Sequence, residues 1–65
     1  MSTSNVIIEV DDGRIFCGWN CYGEVVIKPK GNKHLAYRMS RPLAERTIPK
    51  VEKVVNNKCH VTMAV

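Results

Sequence analysis

Residues 40–57, SRPLAERTIPKVEKVVNN, decide the fold, because no other stretch of the 65-residue chain is long and periodic enough to be a helix. At about 100° per residue, Ala44, Ile48, Val51 and Val55 fall on one narrow stripe, with Leu43, Thr47 and Val54 along its flank. That stripe needs a core to face. Arg46, Lys50 and Lys53 recur at spacings of four and three, so they stack on the opposite, solvent side. Ser40 suits the N-cap, Pro42 the first turn and Asn57 a left-handed stop. Pro49 removes the bond to Glu45 and clashes with its carbonyl, which costs about 3 kcal/mol inside a helix. The helix therefore either bends there or breaks and restarts at Thr47; the bend is preferred, since Pro49 lies on the polar side.

The segments on either side read as strands. Residues 6–10 are β-branched apart from Glu9, and Asp12-Gly13 after them is the strongest short hairpin signal in the chain. A two-residue turn would set Val10 opposite Ile15, Ile8 opposite Cys17 and Val6 opposite Trp19, all on one face, whereas a three-residue loop would pair Val10 with Arg14. The two-residue turn is preferred for its uniform face. Cys21-Tyr22-Gly23 suits a three-residue loop with a bulge, setting Trp19 opposite Val25 and Cys17 opposite Ile27. Pro29-Lys30-Gly31 suits another such loop, which brings Leu35 opposite Val25 in a fourth strand continuing through Tyr37 and Met39. Residues 59–65 alternate again and would pair beside the first strand. The expected fold is α+β, an antiparallel five-stranded ββββαβ sheet of order 5-1-2-3-4 with one helix on one face. Residues 1–65 form one domain in this reading, with 1–5 frayed.

Composition bounds the function. Sixty-five residues with 45% apolar content suit one small folded domain near the lower limit for a single core, and leave no room for a substrate domain beside a catalytic one. The beginning of the chain lacks a signal-peptide pattern and no run is long enough to span a bilayer, so the expectation is a cytoplasmic protein. Three cysteines cannot close a disulfide set, which fits a reducing compartment. The net charge of +4 is uneven: residues 1–27 sum to −3 and residues 28–65 to +7. An acidic partner, protein surface or nucleic acid, follows as an expectation.

No residue set carries a strong catalytic signal. Cys17, Cys21, Cys59, His34 and His60 lack a paired metal motif, and Cys17 and Cys59 read as core residues; no metal site and no cofactor is expected. Phosphate-binding glycine loops and triad spacings are missing, so the reading is not an enzyme. Two surfaces stand out instead. One is cationic: Lys28, Lys30, Lys33, Arg38, Arg41, Arg46, Lys50 and Lys53. The other is the sheet face away from the helix, where the preferred register exposes Ile7, Phe16 and Val26 around Gly18, with Tyr22 at a turn tip as an aromatic anchor.

The run Asp12-Gly13-Arg14-Ile15-Phe16-Cys17-Gly18 is similar to the second-strand signature of Sm-like RNA-binding proteins. The likeness covers those seven residues, and that family's preceding helix and later Arg-Gly signature are missing here. In element order, four meandering strands and a helix resemble the dimeric single-stranded-DNA-binding transcriptional coactivator domains, which implies nucleic-acid binding. The leading expectation is a small non-enzymatic binding protein of the kind typical of phage inhibitors. It would inhibit or modulate a larger macromolecular partner through Ile7, Phe16, Gly18, Val26 and Tyr22 and the basic helix. The alternative is a sequence-tolerant single-stranded nucleic-acid-binding protein, and either is compatible with a homodimer.

Overall fold

The computed structural model describes residues 5–64, with Lys33 described by its backbone alone. The fold is α+β: strands β1 (Val6–Val10), β2 (Ile15–Trp19) and β3 (Val25–Lys28), then helix α1 (Arg41–Val55) and strand β4 (Cys59–Met63). The antiparallel sheet has four strands in the order β3-β2-β1-β4, so β4 pairs beside β1 as expected. Among the described residues there is no fifth strand: the expected fourth, through Leu35, Tyr37 and Met39, does not form. Of the expected frayed residues, 1–4 lie outside those described.

Helix α1 is continuous through Pro49, which excludes the break and restart at Thr47. The Thr47 hydroxyl instead donates to the Leu43 carbonyl at 2.7 Å, which satisfies a buried polar atom. Ser40 stands at the N-cap with extended backbone and no side-chain cap, and Pro42 occupies the first turn. The left-handed stop is Asn56, one residue before the expected Asn57, and its N–H donates to the Glu52 carbonyl. Ala44, Thr47 and Val51 are buried, with Ile48 and Val55 packed against them. The helix lies chiefly over β1 and β4. Much of β2 and β3 is left without a helical cover.

The first hairpin takes the three-residue loop. Val10 N–H donates to the Arg14 carbonyl and Gly13, at φ 103°, takes the positive-φ position, so Glu9 rather than Val10 stands opposite Ile15. This corrects the preferred register by one residue and exchanges faces along β2. Two forces favour the outcome. Asp12 accepts from the Arg14 amide at 3.0 Å and from its Nε at 2.7 Å, which fixes the loop. The shifted register also turns Phe16, rather than Cys17, toward Val6, Ile8, Ala44 and Val51, and burying a phenyl ring gains more than burying a thiol. Arg14 Nη2 continues to the Val55 carbonyl at 3.4 Å, binding the loop to the negative end of the helix.

The second hairpin closes as expected, with Asn20 N–H to the Glu24 carbonyl, Gly23 at φ 78° and Trp19 opposite Val25. Ile27, however, faces Phe16, and the register shifts between Phe16 and Trp19. Gly18 sits in that shift at φ 92°, a conformation open to glycine. The bulge brings Trp19 back to the face of Phe16.

The expected fourth strand is diverted. Gly31 turns the chain at φ 96°, Asn32 Nδ2 donates to the Pro29 carbonyl, and Lys33–Leu35 form one 3₁₀ turn. Tyr37 N–H then donates to the Phe16 carbonyl at 3.1 Å, while Met39 exchanges both backbone bonds with Val6 at 2.8 and 3.0 Å. Residues 37–39 thus enter the fork between β1 and β2, where the bulge draws β2 aside and leaves backbone groups that are costly to bury unpaired. With three meandering strands instead of four, the element order resembling the coactivator domains does not hold.

Candidate functional site

The residues expected to form a docking face are not brought together. Phe16 is wholly buried beneath the helix and Ile7 is 2% exposed. Gly18 is buried and Val26 half-buried on β3. Tyr22 is 83% exposed at the tip of the second hairpin. The one-residue register of the first hairpin carries Phe16 to the helix side, while Ile7 keeps to the other face and is buried there. A surface centred on Phe16 is therefore excluded.

A different aromatic surface takes its place. The Gly18 bulge sets Trp19 beside Phe16, and the diverted segment sets Tyr37 against both. Ring centroids stand 5.2 Å apart for Phe16–Trp19, 6.2 Å for Phe16–Tyr37 and 5.5 Å for Trp19–Tyr37, all edge to face. Phe16 is the buried anchor, while Trp19 and Tyr37 remain 42% and 41% exposed. Half-buried Val25 and Ile27 continue the same side of the sheet on β3, in the half that α1 leaves uncovered. We call this side the aromatic shelf. The expected registers set Trp19 opposite Val6 and Val25 and run Tyr37 along a fourth strand; the glycine inside an apolar strand is the signal of a bulge that places both rings at the surface instead.

The cationic residues divide between the two ends of the sheet. Lys28 stands opposite Ile15, and the Lys30 stem lies against Gly13, both at the end that carries the first hairpin loop. Lys53 is in the last helical turn at that same end. Arg38 and Arg41 belong to the other end, where residue 39 bridges Val6 and α1 begins. Arg46 and Lys50 lie exposed between them on the helix. The side chain of Lys33 lies outside those described. The described basic residues are thus spread over both ends of the sheet and the helix between them.

Among the described residues no three His, Cys, Asp or Glu side chains converge in a metal-holding group. Burial pushes the Cys17 thiol up, and burial together with Glu52 pushes Cys59 up to about 11, whereas Cys21 is exposed. His60 on β4 is bracketed by two carboxylates, with Nδ1 2.8 Å from Asp11 and Nε2 3.1 Å from Glu9. The Asp11 contact, and behind it Glu9, raises the His60 pKa. This bracket fastens β4 to β1. Among the described residues no helix is long and apolar enough to cross a membrane.

No protein-family model, curated protein or solved structure matches the chain.

Proposed function

We propose that the chain is a small non-enzymatic binding protein that modulates a larger macromolecular partner, docking through the aromatic shelf. One observation carries this reading: Trp19 and Tyr37 are fixed edge to face on a buried Phe16 and are still two-fifths exposed. Rigid Trp and Tyr side chains lose little conformational entropy on binding and supply a large share of interface energy. The excess of positive charge in residues 28–65 favours an acidic partner surface. Affinity capture from native host extract, with and without nuclease, tests the reading. The wild-type chain should retain a protein after nuclease, and Trp19→Ala with Tyr37→Ala should lose it while keeping native circular dichroism. Equal capture by the doubly substituted chain would sink the proposal.

The second reading is sequence-tolerant binding of single-stranded nucleic acid. It is favoured by the same exposure, since Trp19, Tyr37 and Tyr22 offer three rings on which bases can stack. Titration of labelled single strands at low and high salt separates the two, because phosphate contacts weaken steeply with salt.

A further inference from the structure

The outer edge of β3 is where the expected fourth strand would have paired, and the diversion of residues 35–39 leaves it without a neighbouring strand among the described residues. Which groups it presents follows from the ladder. The Glu24 carbonyl accepts from Asn20 and so points toward β2, which turns the backbone of Val25 outward. The Phe16 carbonyl points away from β3 to Tyr37, so Ile27 opposite it also directs its N–H and C=O to the open edge. Val25 and Ile27 thus offer two donors and two acceptors at alternate positions.

The sequence along this edge, Glu24-Val25-Val26-Ile27-Lys28, is complementary to its own reversal. We propose that the chain forms a two-fold homodimer by antiparallel pairing of β3 with the β3 of a second copy, centred on Val26. In that register Val25 stands opposite the partner's Ile27 and exchanges both backbone bonds with it, and the symmetric pair repeats the exchange. Val26 meets its own copy on the other face of the sheet. Glu24 stands opposite the partner's Lys28 at both ends, so exposed opposite charges meet twice and like charges nowhere within the strand. Charge complementarity selects a second copy as the occupant. The other edge of the sheet is partly closed: the outward Cys59 N–H already donates to Glu52 at 3.0 Å.

The dimer would join two sheets into one of eight strands, β4-β1-β2-β3 continuing into its symmetric mate. Both helices lie over the outer strands, so both aromatic shelves fall on one side of the central four strands, between the helices. Half-buried Val25 and Ile27 would gain apolar neighbours across the axis. The inference rests on strand geometry and does not depend on the partner proposed above.

Sedimentation equilibrium and light scattering of the purified chain over a range of concentrations test it. The mass should rise from 7.3 kDa to twice that value. Glu24→Lys and Lys28→Glu each replace two attractive pairs by two repulsive ones, and each should weaken self-association roughly tenfold or more. An equimolar mixture of the two variants restores opposite charges at both ends and should form the mixed dimer. Ile27→Pro, which removes an outward donor without touching the bonds to β2, should leave a folded monomer. A wild-type chain that stays monomeric at millimolar concentration overturns the proposal, as does a dimer indifferent to both charge reversals and to Ile27→Pro. Circular dichroism of each variant separates loss of pairing from loss of fold, and failure of the variant mixture to associate when both components are folded counts against the register.

Discussion

The Tyr37 ring stands directly over Gly18: a Cβ built on that glycine would come within 3.1 Å of Tyr37 Cδ1. The two residues form one device. Gly18 kinks β2 out of its ladder at φ 92°, and the segment carrying Tyr37 repairs the backbone bonding that the kink leaves open. Trp19 emerges on the same face as a result.

Gly18→Ala should therefore strike both halves of the device, through positive-φ strain and through the Tyr37 contact. Strain of this kind costs about 1–3 kcal/mol. Urea unfolding should report a loss in that range, and Trp19 emission should shift as its neighbour moves. An unchanged midpoint would contradict the bulge.

Phe16→Ala should cost about 3–5 kcal/mol by opening a cavity under the helix. That is most of the stability a 65-residue domain can be expected to have. Tyr22→Ala, at the exposed loop tip, should leave the unfolding midpoint nearly unchanged. The contrast separates the observed register from the alternative in which Phe16 faces solvent.

Stability should depend on pH through His60. Its folded pKa lies above the ordinary histidine value of about 6.5. The contribution of the Asp11–His60–Glu9 bracket is then fully present below that value and is lost as pH rises through the folded pKa. Thermal melts should fall across this window, and His60→Gln should flatten the dependence. Asp12 acts in a different window: its hydrogen bonds to Arg14 lower its pKa, so its contribution is lost only in acid, as pH falls through the folded value.

Thiol chemistry should be selective. Burial keeps Cys17 and Cys59 protonated near neutral pH, while Cys21 lies at the surface. Mass spectrometry after brief alkylation should find the label on Cys21 alone in the folded chain and on all three cysteines after unfolding. Rapid labelling of Cys59 would mean that β4 opens readily.

The helix was legible because its period extends over four turns and its caps are local, and β4 because its alternation has β1 to pair with. The second hairpin was legible because Gly23 states its loop. The first hairpin was not, since Asp12-Gly13 suits both a two-residue and a three-residue loop, and the choice depends on Phe16 reaching Ala44 and Val51 far along the chain. Local facial uniformity favoured the wrong answer. The diverted strand was illegible for a related reason: residues 35–39 alternate well enough to pair with β3, but the fork that receives them exists only once Gly18 has bent β2. Because Trp19 and Tyr37 depend on both events, the aromatic shelf could not be read from periodicity.

Trp19 is the sole tryptophan of the chain, so its fluorescence reports on the shelf without a label. Acrylamide quenching of Trp19, measured on the free chain and then on the chain saturated with its captured partner, tests the central claim most directly. The account predicts ready quenching in the free chain, and in the complex a blue-shifted emission largely protected from acrylamide. A fully formed complex in which Trp19 emission and quenching are unchanged would place the binding surface elsewhere.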